Sequence, residues 1–203
     1  DLSVDPYETC NLAADPLYAG DLKKMRRLLA GNLIAENDLG MLPESIWLEE
    51  GKQNPVGYGR KSHKRIERLL RVADLQLLTY SEAKGKVEKA LASTDEAERC
   101  WALTACVWWG DKASGLSGQI EEMLKDPSVL VQSRAAVFLA TTTRINPTGL
   151  LKKALSQARS GAEALWILND MAYLKNRYPD LDFSLTSNDV PLKCEGSDWR
   201  VDY

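Results

Sequence analysis

Between Ser93 and Leu174 the chain alternates two kinds of helix at a nearly fixed interval. One kind is apolar on a single side, as in Leu116, Ile120, Met123 and Leu124, and again in Leu150, Leu151, Ala154, Leu155 and Ala158. The other is apolar around nearly its whole circumference: Cys100 to Cys106, then Val131 to Ala140, then Ala164 to Leu174. Trp101-Ala102 and Ala135-Ala136 lie 34 residues apart, and the predicted starts at Asp95, Asp126 and Ser160 are separated by 31 and 34. A helix pair of this kind leaves one face unburied unless a neighbour covers it, so about three pairs must stack before the array is stable. The period therefore predicts an all-α fold, an α-solenoid of about three helix pairs.

Local signals place the helix ends. Asp95 with Glu98 and Ser160 with Glu163 have capping-box spacing, while Asp126-Pro127 and Asn146-Pro147 set a capping side chain before a proline at the first helical position. Ile66, Leu69, Leu70 and Ala73 predict an earlier helix over 62–78, and Val87 and Leu91 another over 81–92. The Asp126-Pro127-Ser128 start and the small Ala135-Ala136 pair resemble HEAT-type repeats. The repeats are assigned to residues 62–180 and a C-terminal tail to 181–203. Residues 45–61, rich in Gly, Pro and polar side chains without apolar period, predict a surface crossing, with the linker proper at 51–61.

Residues 1–50 have a different character. Asp5-Pro6-Tyr7-Glu8 and Asp15-Pro16-Leu17-Tyr18 are turn formers, because proline presets its own φ and pushes the preceding residue to extended geometry. From Tyr18 to Ile34 the residues Tyr18, Leu22, Met25, Leu29 and Leu33 form one helical stripe, with Lys23, Lys24, Arg26 and Arg27 largely off it. Asn37 and Gly40 stop this helix, and 38–44 follows as an extended exit.

The order Asp-Pro-Tyr-Glu, Asn11-Leu12-Ala13, Asp-Pro-x-Tyr, a helix with Met25-Arg26 at its middle, then Asp38-Leu39-Gly40 and Leu42-Pro43-Glu44 resembles the C-terminal end of bacterial sulfatases. The family's formylglycine-dependent members that are similar to this chain continue into a helical-repeat tail, so the resemblance runs to about Trp199. It implies a non-catalytic C-terminal region whose catalytic domain, with its formylglycine and calcium, lies upstream of residue 1. Such a region would support the sulfuric ester hydrolase domain, its substrate cleft or its subunit contacts. Its implied partners are that catalytic domain, another copy of the chain and an anionic glycan, and relatives of this kind are commonly periplasmic or secreted. The alternative is a stand-alone helical-repeat module that binds a protein partner through its concave side.

The residues carry no chemistry of their own that replaces a catalytic domain. The sulfatase motif Cys- or Ser-x-Pro-x-Arg occurs at none of Cys10, Cys100, Cys106 and Cys194. Cys100 and Cys106 are separated by about 9 Å along one helix, too far for a disulfide. His63 stands alone, without Cys-x-x-Cys spacing, so no metal or cofactor site is assigned to this chain. A net charge of −3 is too small to specify an acidic or basic partner and argues against nucleic acid, and no run of eighteen apolar residues exists to span a membrane.

Two surface features remain as candidates. Arg60, Lys61, Lys64, Arg65, Arg68 and Arg71 lie opposite Ile66, Leu69, Leu70 and Ala73 on the helix over 62–78, giving a basic face that is either simply solvated or binds a sulfated or phosphorylated polyanion. Trp108-Trp109 is either a sugar-stacking platform or a core element. The face shared by Cys100, Trp101, Thr104 and Trp108 assigns the pair to the core.

Overall fold

Side chains that satisfy the first free N–H groups decide where each helix begins. The structure, a computed structural model, describes residues 2–186 and 189–191, apart from the side chain of Glu49. The predicted terminal stretch 192–203, with Cys194 and Trp199, lies outside the described residues. Asp15 accepts from Leu17 N and opens a 3-10 turn that leads into α1, Ala19–Ala35. Then come α2, Glu44–Gly51, and α3, Pro55–Lys61, followed by α4, His63–Ala73, and α5, Tyr80–Leu91, whose Thr79 and Glu82 form a complete capping box. The chain continues through α6, Glu96–Trp109, α7, Ser117–Glu122, α8, Val129–Thr142, α9, Thr148–Ser156, and α10, Gly161–Arg177. No strand occurs among the described residues, and none of their helices is long and apolar enough to cross a membrane.

The helices with apolar residues all round form a row. α6 lies between α4 and α8, and α8 lies between α6 and α10, which accounts for the near-complete burial of α8 from Val129 to Thr141. The one-sided helices pack on this row: α5 on α6, α7 on α8, and α9 on both α8 and α10. Phe138, Leu103, Ile120 and Leu130 fill the space between α6, α7 and α8, while Leu151, Leu155, Ile167 and Leu174 fill that between α8, α9 and α10.

Several local expectations are corrected. Residues 45–61 are largely helical, forming α2 and α3, because Asn54 Oδ1 accepts from Gly57 N at 2.8 Å and Pro55 occupies a first-turn position. Gly59 is there for contact: a Cβ at this position would sit 2.9 Å from the Asn37 carbonyl oxygen. The exit at 38–44 is a 3-10 turn, Leu39–Met41, with Met41 and Leu42 buried against Ile66, Leu69 and Ala97. Trp101 Nε1 donates to the Met41 carbonyl at 2.8 Å, fastening this exit to α6. α2 then reaches far enough to touch α10.

Further along, α8 starts at Val129, two residues after Pro127, because the Asp126 carboxylate caps Ser128 N at 2.9 Å and is also held from α6. Glu98 does not close a capping box with Asp95; it accepts from Ser93 Oγ at 2.7 Å and from Arg68. The helix expected through Leu116 and Leu124 is the short α7 flanked by 3-10 turns, Gly110–Leu116 and Met123–Lys125. Glycines 110, 115 and 118, with Gly110 at φ 56°, weaken regular helix there.

Candidate functional site

The six predicted basic residues divide into two groups. Arg65 makes a bidentate pair with Asp95, both bonds 2.7 Å, while Arg68 reaches Glu98 at 2.9 Å and Arg71 pairs with Glu67 at 3.0 Å. Burial pushes the Asp95 carboxyl up, but the hydrogen bond and charge of Arg65, with the Ala97 N–H, outweigh it and hold the group below its ordinary value. Arg60, Lys61 and Lys64 are exposed and carry no ion pair among the described residues. The basic face is thus half structural: Arg65 and Arg68 take their carboxylate partners from the segment that opens α6, 30 residues on, and Arg71 takes its own from α4 itself.

The same pairing recurs 34 residues on. Arg99, 34 residues after Arg65, makes a bidentate pair with Asp126, both bonds 2.8 Å. In each case an arginine on one inner helix grips the aspartate that caps the chain entering the next, since Asp95 accepts from Ala97 N and Asp126 from Ser128 N. At the third position Ser133 replaces the arginine and donates to buried Asp170 at 2.7 Å. Arg134 completes that site, 3.2 Å from Asp170 and 4.9 Å above the Trp166 ring. Burial drives the Asp170 carboxyl above its ordinary value, opposed by the charge of Arg134 and the Ser133 hydroxyl.

Beside this cluster lies a groove of about 540 Å³, bounded by the C-terminal parts of α6, α8 and α10. Here the expectation that both tryptophans are core is corrected for one of them. Trp109 is the core residue, 8% exposed, donating Nε1–H to the Leu78 carbonyl at 3.0 Å and meeting Tyr80 edge-on, whereas Trp108 is 70% exposed and lines the groove. Tyr173, Arg177, Arg144, Arg134 and Asp111 also line it. Of these only Trp108 was singled out by sequence, and as core. The adjacent Trp108 and Trp109 lie about 100° apart around α6, so only one of them can face the neighbouring helices, and that one is Trp109.

The remaining candidates are inert in this structure. His63 is exposed at the start of α4, its Nδ1 2.7 Å from Asn37 Oδ1. Cys100 and Cys106 are buried free thiols with their pKa pushed up by desolvation, that of Cys106 to about 12, so neither is a thiolate at neutral pH. Among the described residues no group of three His, Cys, Asp or Glu side chains is placed to hold a metal ion. No family model, curated protein or solved structure matches the chain.

Proposed function

We propose that this chain is the non-catalytic C-terminal helical-repeat region of a sulfatase, with α4 to α10 stacked as a HEAT-like α-solenoid. The repeated Arg–Asp cap pairing at 34-residue spacing supports the repeat assignment. The observation that carries the functional reading is the surface of residues 2–29. The turns that hold the sulfatase-like motifs are built from their own side chains: Asp5 accepts from Cys10 N at 2.9 Å, Asn11 from Ala13 N at 3.0 Å and Asp15 from Leu17 N at 2.9 Å. Yet Met25 is 66% exposed and Leu29 59%, with Leu17 and Leu28 exposed beside them. An apolar stripe on a helix that buries none of its residues is a surface shaped for a neighbouring domain.

The test is the full reading frame. Several hundred upstream codons that include Cys- or Ser-x-Pro-x-Arg are the expected result, and in the longer protein residues 19–35 gain hydrogen-exchange protection over the 203-residue chain. A frame lacking that motif overturns the proposal and leaves the free-standing helical-repeat module. In the 203-residue chain, the double substitution Met25→Glu and Leu29→Glu is expected to change stability by less than about 1 kcal/mol, since both are solvent-facing. It should abolish concentration-dependent self-association in sedimentation velocity. A parent chain that is monomeric at every concentration would show that α1 does not act as an association surface.

A further inference from the structure

We propose that the groove between the C-terminal parts of α6, α8 and α10 binds an anionic saccharide, with a sugar ring on Trp108 and its acidic groups met by Arg144 and Arg177. This inference rests on the groove alone and stands or falls separately from the sulfatase reading. Trp108 and Tyr173 are both exposed aromatic side chains, and both line the groove. An exposed tryptophan beside a cavity is costly to leave wet and suits a ligand that is apolar on one face and polar at its edge, as a pyranose is.

The charges lining the groove select an anion. Arg144 and Arg177 meet no carboxylate among the described residues; Arg177 lies 5.8 Å from the Tyr178 ring and donates to its hydroxyl at 3.2 Å. Arg144, directly after α8, is held at φ 62°, a backbone conformation uncommon for a non-glycine residue, and its side chain lines the groove. Arg134 at the floor is fixed by Asp170 and Trp166, so its position is set before any ligand arrives. Guanidinium groups bind sulfate and carboxylate through paired hydrogen bonds, and Asp111 supplies an acceptor for a sugar hydroxyl.

The same lining argues against an extended acidic peptide. A peptide main chain calls for regularly placed donors and acceptors, but Thr104 and Thr141 donate to carbonyls of their own helices and Gln76 Nε2 donates to the Ala73 carbonyl. What remains without a carboxylate partner among the described residues is the Arg144 and Arg177 guanidinium groups, beside the exposed rings of Trp108 and Tyr173.

Isothermal titration of the 203-residue chain with a heparin-derived tetrasaccharide, a hyaluronan tetrasaccharide and a hexaglutamate peptide tests this. Either saccharide should bind, the first reporting sulfate and the second carboxylate recognition, and Trp108→Ala and the double Arg144→Ala, Arg177→Ala variant should each weaken it about tenfold or more. These exposed positions leave the melting temperature unchanged, whereas the triple Arg60→Ala, Lys61→Ala, Lys64→Ala variant should bind as the parent does. No binding of either saccharide at millimolar concentration, equal affinity for hexaglutamate, or loss only in the triple variant overturns the proposal.

Discussion

Ala136→Asp is expected to remove soluble, folded protein altogether. Ala136 lies at the centre of α8, 1% exposed, in the core shared with Val129, Ala140, Leu151, Leu155 and Ile167. A carboxylate there has no cation partner within that apolar cluster and no water, and its desolvation costs several kcal/mol even if it takes up a proton. Steric crowding adds to this, because a close helix contact has no room for the extra atoms. Against a total stability of about 5–15 kcal/mol, such a loss is decisive. Ala136→Gly separates burial from mere intolerance of change: it should stay soluble and lose about 1 kcal/mol of helix propensity plus a small packing term. An aspartate variant that expresses and melts like the parent would falsify the placement of Ala136 between neighbouring helices.

Asp126→Ala should lower stability by about 3–5 kcal/mol, because it leaves the Arg99 guanidinium desolvated and uncompensated. The two side chains are only 11% and 9% exposed, and Asp126 also caps the chain entering α8. For a chain of this size that loss is a fall in melting temperature of roughly 6–20 °C. Arg68→Ala, which breaks a pair whose arginine is half exposed, should cost less than about 1 kcal/mol. The double variant Arg99→Met, Asp126→Leu should recover much of the loss, since no charge is then stranded. Thermal melts of the parent, Arg99→Met, Asp126→Leu and the double variant form a cycle for the pair. Equal melting temperatures for Asp126→Ala and Arg68→Ala would mean that the cap pairing between inner helices contributes no more than a surface contact.

Much of the helical layout was legible because capping residues and apolar spacing agree. Asp95, Asn146 and Ser160 each accept from a backbone N–H near a predicted start, and most of the residues read as apolar all round on α6, α8 and α10 are buried in the row of helices, with Trp101, Leu165 and Leu168 only partly covered. α3 was not legible, because Gly57 and Gly59 argue against helix; tertiary contact with Asn37 overrides that propensity, although Asn54-Pro55 already carried a start signal. The arginines of α4 read as a solvated or polyanion-binding face because the partners of Arg65 and Arg68, Asp95 and Glu98, lie 30 residues away and only folding brings them together. Their 34-residue echo at Arg99 was a usable signal. The groove was out of reach for the same reason: Trp108, Arg144 and Tyr173 belong to different segments and share no spacing.

The reach of α2 onto α10 has a consequence for how the chain comes apart. In an array where each unit meets only the next, the ends fray independently and melting is piecemeal. Here α2 touches α10, more than a hundred positions later, while Ile46 and Trp47 of α2 pack on the cluster of Ile66, Leu69 and Ala97, so α10 cannot loosen without releasing a segment that also covers α4 and α6. The two extremities are thereby yoked into one cooperative transition, and removing α10 should disorder the front of the molecule as well as its back.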